Sequence, residues 1–389
     1  MNLNLGGIGT EAFLRDYWQK KPCLVRCAIP VFSSFMSRTE LFDLSCDGNV
    51  ESRLVIENDG DYPWQVLHGP FSPEELQNLP ASHWSLLIQN MELHRDEAAE
   101  LLDRFNFIPN WRIDDLMISL APDQGSVGPH LDSYDVFLLQ AQGRRCWQIN
   151  PHAYDENDFI PGLDLRILDR FRSTEEWILD PGDMLYLPPG VAHYGVALGE
   201  CQTYSIGLRA PSSHELLNHY LDEIIATMTN DYYADPDLRL VTHPGEITGE
   251  SLARINSLLR SSLPDPATLE TWFGKYVTRL PDQFHLDLPV YARSPGDFMA
   301  FFQEAGTLLR HRACRSAYIR RKDGFLLFIN GDAFNLPLVC ADFIQRFTES
   351  RTIDYGDCDP IGSEPAFRAL VCNLYNRGLL YRVEHNSHK

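Results

Sequence analysis

Two imidazoles and one carboxylate stand in this chain at a spacing that few folds can use. His130 and Asp132 are two apart, and His193 follows sixty-one positions after the aspartate (193 − 132). In Val127-Gly128-Pro129-His130-Leu131-Asp132-Ser133-Tyr134-Asp135-Val136-Phe137 the segment turns apolar after the pair, and residues i and i+2 of a strand point to one face. Both side chains can then reach one ion. His193 closes the stretch Pro181-Gly182-Asp183-Met184-Leu185-Tyr186-Leu187-Pro188-Pro189-Gly190-Val191-Ala192-His193, which reads as a turn, a short buried strand, a second turn and the start of another strand. A barrel folds that strand back onto the first pair, so the expected fold is mainly β with α, built on a double-stranded β-helix. Three protein ligands on one face leave coordination positions open, and a mixed nitrogen and oxygen set of this kind suits Fe(II), a 2-oxo acid and dioxygen. A structural zinc site normally closes with four ligands. A non-oxidative cupin holding zinc or manganese is the alternative.

Arg145 lies fifteen positions after His130 (145 − 130), in Leu138-Leu139-Gln140-Ala141-Gln142-Gly143-Arg144-Arg145-Cys146-Trp147-Gln148-Ile149. Gln142-Gly143 breaks two apolar runs and predicts a hairpin there. Alternation after the turn puts Arg145 and Trp147 on one face and Arg144 and Cys146 on the other. A guanidinium inside an apolar barrel costs several kcal/mol unless an anion pairs with it, and its fork suits a carboxylate such as the distal one of 2-oxoglutarate. The alternative is that both arginines are solvated hairpin residues.

The assembled pattern resembles the JmjC-type 2-oxoglutarate oxygenases, and more closely the bacterial ribosomal oxygenases that hydroxylate an arginine of the sixteenth large-subunit ribosomal protein. The matching segments are Phe13 to Arg26, Asp115 to Ser119, Val127 to Trp147, Pro181 to His193 and Tyr204 to Pro211. The resemblance implies that His130, Asp132 and His193 hold iron, that Arg145 pairs with 2-oxoglutarate, and that dioxygen is the other co-substrate. It also implies that Asp115, Met117, Tyr134 and Ser205 clamp the target arginine, which is hydroxylated at its β-carbon. An acid for the guanidinium, an aromatic face and a thioether for the aliphatic stem fit such a guest. The plainer reading makes Tyr134 and Met117 core and Asp115 a solvated turn acid. Two departures stand out. Pro122-Asp123-Gln124-Gly125-Ser126 replaces a glycine-rich stretch, and Cys146 replaces a commonly basic residue and is expected to face outward. The rivals are hydroxylation of another residue, such as a histidine, and a non-catalytic scaffold.

The chain has 389 residues, 44% of them apolar, so two or three domains are expected. A formal net charge of −21 argues against non-specific nucleic-acid binding and for a cationic protein partner, such as a free ribosomal protein. Simple solubility is the other explanation of the charge. Nine cysteines without a Cys-x-x-Cys pair fit a reducing compartment, and cytoplasm is the expectation. The start, Met1 to Gly7, shows no signal-peptide pattern, and no window approaches the ~20 apolar residues of a membrane span.

Period-2 strands and turns are expected to dominate up to about Pro211, giving a catalytic domain over 1–211. From Ser213, Leu216, Leu217, Tyr220, Leu221, Ile224, Ile225 and Met228 recur at helical spacing. Two further helices centre on Leu252 to Leu259 and Leu269 to Val277. Intrachain packing would account for this module, 212–281; the resemblance makes it a dimerisation region and the protein a homodimer. A linker from Pro281 to about Pro295 leads into 282–389, where a helix, a strand–Asn330-Gly331–strand hairpin and two more helices suit a winged-helix-like domain. The last helix carries few basic residues beyond Arg368 and Arg377, so a protein-contact role is expected there rather than direct DNA binding.

Overall fold

A computed structural model describes residues 3–58, 64–163, 165–240, 242–261, 266–281, 284–286, 288–289 and 291–382. Met1 and Asn2, and Asp282, Gln283, Asp287 and Val290 of the expected linker, lie outside the described residues. In chain order the first part comprises α1 (Thr10–Asp16), β1 (Cys23–Val25), α2 (Arg38–Ser45), β2 (Ser52–Glu57), β3 (Trp64–His68), α3 (Pro73–Gln77), β4 (Trp84–Ile88), α4 (Asp96–Leu102), β5 (Ile113–Ala121), β6 (Val136–Asn150), β7 (Glu175–Leu179), β8 (Met184–Leu187) and β9 (Ala192–Leu208). The strands form one antiparallel sheet in the order β1-β8-β6-β9-β5-β4-β2-β3, with β7 paired to β6.

Four helices interrupt what the alternation suggested would be strands and turns. They are short, five to eight residues, too brief for a helical period to show. Their one local signature is the capping box, Ser37 with Glu40 ahead of α2 and Ser72 with Glu75 ahead of α3.

The two long strands, β6 and β9, divide their side chains between two layers. Phe137, Leu139 and Ala141 join Leu116, Ile118, Leu120, Tyr204 and Ile206 in the main core. Val136 and Leu138 instead join Trp147, Ile149 and Leu187 in a second cluster. The expected hairpin at Gln142-Gly143 is absent, because β6 runs through it as one strand with an irregular register. From Gln140↔Thr203 to Gln142↔Gln202, β6 inserts one extra residue, which reverses its alternation; from Gln142↔Gln202 to Arg144↔Leu198, β9 inserts two, which leaves its own unchanged. Gly143 makes this possible: its φ is +61°, and a Cβ there would lie 2.1 Å from the Glu200 carbonyl oxygen.

The remaining elements are α5 (Ser213–Thr227), α6 (Gly249–Ser261), α7 (Pro266–Thr278), α8 (Pro295–Ala305), β10 (Thr307–Arg310), β11 (Ser316–Arg320), β12 (Gly324–Ile329), β13 (Asp332–Pro337), α9 (Ala341–Glu349), β14 (Thr352–Asp354), α10 (Tyr355–Cys358), α11 (Pro365–Asn376) and β15 (Leu380–Tyr381). The chain forms two compact units. One gathers 1–210, 280–314 and 342–389; the other gathers 211–279 and 315–341. Within the first, the C-terminal segment is tied to the barrel by Arg351 on Asp96 (2.8 Å) and by Asn110 Nδ2 donating to the Thr348 carbonyl (2.6 Å). Within the second, the β11-β12-β13 sheet packs on α7, where Gly274 lets the Phe328 ring approach to where a Cβ would stand, 2.2 Å away. The Asn330-Gly331 turn has both residues at positive φ, as a tight two-residue hairpin requires.

Candidate metal centre and the groove beside it

His130 and His193 face each other across a single antiparallel bridge. The His130 N–H donates to the His193 carbonyl (3.0 Å), and the His193 N–H returns to the His130 carbonyl (2.8 Å). Asp132 is held further along the same pair of segments, its carbonyl accepting from the Gly190 N–H at 2.8 Å. His130 sits on an isolated bridge and Asp132 on the irregular segment ahead of β6 rather than within a regular strand, yet both side chains reach one point.

Each imidazole is oriented from behind. Nδ1 of His130 lies 3.0 Å from the Gly128 carbonyl and Nδ1 of His193 lies 3.0 Å from the Val191 carbonyl. With Nδ1–H donating, both Nε2 lone pairs point forward, the second-sphere arrangement expected of metal-binding histidines. One ligand atom from each of His130, Asp132 and His193 lies within 4.8 Å of the others, and His193 Nε2 is 3.7 Å from Asp132 Oδ2. Burial, reinforced by the neighbouring His130, pushes the His193 pKa down to about 4, so its ring is neutral and able to ligate at neutral pH. Two nitrogens and one oxygen gathered on one side fit a metal that keeps its other positions open.

The reversal in β6 puts Arg145, not Arg144, on the inner face. Arg145 is 3% exposed, and its Nε and one terminal nitrogen have no hydrogen-bond partner among the described residues. Its guanidinium carbon lies 5.7 Å from the centre of the Trp147 ring, and that ring lies 5.8 Å from the His193 ring. Arg145, Trp147 and His193 thus follow one another across one wall. Gly195, opposite Trp147, leaves the indole room: a Cβ there would stand 2.6 Å from it. A buried cation left without an anion is strongly unfavourable, so the wall is shaped for an anionic ligand. Cys146 points away, as expected, half-buried beside Glu176.

The four residues expected to grip a substrate are drawn from three places. Asp115 and Met117 share one face of β5, since Leu116, Ile118 and Leu120 fill the core on the other. Ser205 pairs with Met117 and Gly207 with Asp115 across the β5–β9 ladder. Asp115 Oδ2 accepts the Asn90 N–H at 3.2 Å. Met117 packs with Val55, Leu87 and Ile167, an apolar wall. Ser205 is buried, while Tyr134 keeps 41% of its surface open. The Tyr134 phenol stays protonated, raised by burial and by the Asp132 and Asp115 carboxylates. The loop at Pro122 to Ser126 is a tight turn tied to β9: the Gln124 N–H donates to the Ala197 carbonyl (3.0 Å), and the Ala197 N–H donates to the Gly125 carbonyl (3.0 Å).

Three further residues support the site: Asp135, which lies inside the quoted metal motif but was given no role there, and Arg53 and Gln89, which fall outside the motifs. Asp135 is fully buried, and its carboxylate accepts from Tyr186 Oη (2.6 Å), Gln19 Nε2 (2.9 Å) and Arg112 (3.1 Å), which anchors the strand that follows the metal segment. Arg53 and Gln89 lie on the Val55 and Leu87 side of β2 and β4, where only strand alternation would have pointed to them.

A cupin barrel with an open-sided metal face and an unanswered arginine on the adjoining wall defines the structural class. Residues 100–216 match the JmjC domain model and 258–381 the ROXA-like winged helix model. The chain is 32% identical to the ribosomal protein uL16 3-hydroxylase of Escherichia coli, over 94% of its own length and 95% of the relative's. It belongs to the JmjC ribosomal oxygenases. A solved structure of Escherichia coli YcfD superposes with a TM-score of 0.84 at 30% identity, covering 98% of this chain and 100% of that one. A YcfD ribosomal oxygenase solved with cobalt and 2-oxoglutarate gives 0.81 at 30% identity, covering 98% and 99%. The architecture is accordingly a JmjC β-barrel, a helical region and a winged-helix C-terminal domain.

Proposed function

We propose that this protein is an Fe(II)- and 2-oxoglutarate-dependent hydroxylase that acts on the β-carbon of an arginine in the large-subunit ribosomal protein uL16. The observation that carries the reading is Arg145, buried on the wall that leads to His193 with no acid paired to its guanidinium among the described residues. His130, Asp132 and His193 hold the iron on one side. Arg145 receives the distal carboxylate of 2-oxoglutarate and so sets which end of that molecule faces the triad. Iron(II) with 2-oxoglutarate and dioxygen would supply the oxidising power, one oxygen atom ending on the target carbon and the other in succinate, with the lost carboxylate of 2-oxoglutarate released as carbon dioxide.

The chain's own contribution is placement and exclusion of water. Asp115 accepts the target guanidinium, Tyr134 and Met117 flank its stem, and Ser205 offers a hydroxyl beside them. Val55, Leu87 and Ile167 keep that channel apolar. The net charge of −21 favours encounter with a basic ribosomal protein, and the cytoplasm is where such a partner is made.

The same reading divides the chain into a catalytic part over 1–211, a helical part over 212–281 and a winged-helix-like part over 282–389. The helical part serves as the dimer surface of a homodimer. Its support is exposed apolar area: Leu217 is 58% exposed, Ile225 64%, Leu252 57% and Leu259 64%. An apolar hollow of about 450 Å³ lies between Leu217, Tyr220, Leu269, Trp272 and Ile319. The C-terminal part contacts protein rather than DNA. No helix among the described residues is long and apolar enough to cross a membrane.

The deciding experiment incubates arginine-containing uL16 peptides with enzyme, Fe(II), 2-oxoglutarate and air. A gain of one oxygen mass that fragments to an arginine is expected. Oxygen on a histidine instead would move the target, and turnover without oxygen would replace the oxygenase by a non-oxidative cupin.

A further inference from the structure

Asp115 does not stand alone on its strand. Its Oδ2 takes the Asn90 N–H at 3.2 Å. With the Gln89 amide turned so that nitrogen faces the carboxylate, Gln89 Nε2 donates to Asp115 Oδ2 at 2.8 Å and Gln89 Oε1 accepts from a terminal nitrogen of Arg53 at 2.9 Å. The opposite orientation would set oxygen against carboxylate and nitrogen against guanidinium, so the network dictates this one. On the other side, a side chain at Gly207 would start 3.1 Å from Asp115 Oδ1. Oδ2 is thus tied from one side while Oδ1 lies against a backbone position kept bare.

Arg53 is an expensive way to anchor an amide. Its Nε is buried with no hydrogen-bond partner among the described residues, and a buried donor left unsatisfied calls for a reason other than stability. The arrangement also places a resident cation one side chain behind the acid that is to receive a substrate cation, where it keeps the amide turned towards Asp115. Three strands supply the relay: Arg53 from β2, Gln89 from just past the end of β4, and Asp115 from β5.

We infer that Gln89, held by Arg53, is a positioning residue that fixes the plane of the Asp115 carboxylate and thereby selects a guanidinium over an ammonium group. The inference rests on the reading of Asp115 as the acceptor of the target arginine. A forked donor needs a carboxylate in a set plane, whereas the compact ammonium of lysine is indifferent to it. Releasing Asp115 to rotate therefore costs the arginine ligand and spares the lysine one.

The test uses the full-length enzyme loaded anaerobically with Mn(II) and 2-oxoglutarate, and two labelled uL16 peptides that differ only in arginine or lysine at the target position. Gln89→Leu keeps the volume and removes both hydrogen bonds. Its affinity for the arginine peptide is expected to fall about tenfold, with the lysine peptide changed less than twofold, so the arginine preference collapses. In an Asp115→Asn background, Gln89→Leu should add nothing, because it acts through that carboxylate. Arg53→Met, which frees the amide from behind, is expected to move the preference in the same direction and carries the same criterion if Gln89→Leu does not fold. Equal losses for both peptides, or full additivity with Asp115→Asn, would overturn the inference. A wild-type enzyme that binds and hydroxylates no arginine peptide would instead remove the reading on which it rests.

Discussion

The barrel and the helical unit are each incomplete, in opposite ways. In the barrel nearly every large apolar side chain is enclosed, and the group left most in need of a partner among the described residues is polar: the Arg145 guanidinium, 3% exposed, on the wall beside His193 with no acid paired to it. In α5 and α6 what lacks cover is apolar, with Ile225 and Leu259 both 64% exposed. A missing anion calls for a small charged ligand, and a missing apolar surface calls for protein. The difference teaches that one sequence can advertise two kinds of partner by leaving two kinds of group unsatisfied.

The strongest way to break the barrel side of this comparison is to remove a ligand. Asp132→Ala should abolish metal retention and hydroxylation, exceeding the roughly 10–100-fold loss that follows from altering outer-sphere partners. Metal content by elemental analysis and peptide mass spectrometry check it. Retained activity would refute the metal assignment.

Next comes the unanswered cation. Arg145→Met should weaken 2-oxoglutarate binding by roughly 100-fold, as expected for loss of a charge-assisted pair. In the ligand-free protein the same change should raise stability by about 1–3 kcal/mol, since an unpaired buried charge is removed. Opposite signs for binding and for the melting temperature would sharpen the case. A ligand-free protein destabilised by the change would mean that Arg145 is structural.

For the helices, Ile225→Glu combined with Leu259→Glu should convert the proposed dimer to monomer in analytical ultracentrifugation while leaving metal content unchanged. Apolar side chains of this size contribute about 1.5–3 kcal/mol each when buried. A wild-type monomer would show that the apolar face serves another partner.

The smallest effect concerns pH. His193 has a folded pKa depressed to about 4 from 6.5, so the unfolded chain takes up the proton first. Its contribution to metal-free stability is fully present above about pH 6.5 and is lost as pH falls towards 4. Denaturant melts should show a decline of up to roughly 3 kcal/mol from this group. His193→Gln should flatten that part of the curve.

How much of this was readable beforehand depended on whether neighbours in space were neighbours in sequence. His130, Asp132 and His193 sit in motifs whose local alternation and turns are visible, and the structure gathers them. Arg145 was placed on the inner face through an expected hairpin that does not exist; a one-residue insertion in β6 produces the same reversal. The four short barrel helices were missed because they are under two and a half turns long, with only the Ser37 and Ser72 capping boxes to mark them.

The sequence by itself determined which donors exist, that two of them share a face, and that the region after Pro211 is helical with a broad apolar side. These follow from periods of two and 3.6 residues, which are local properties of the chain. Only the tertiary structure decided that His130 and His193 bridge each other, that Arg145 has no acid paired with it among the described residues, and that Arg53, Gln89 and Asp115 form a relay. Those facts depend on strand order and register across β2, β4, β5, β9 and β6, and register is set by packing and bulges over the whole sheet.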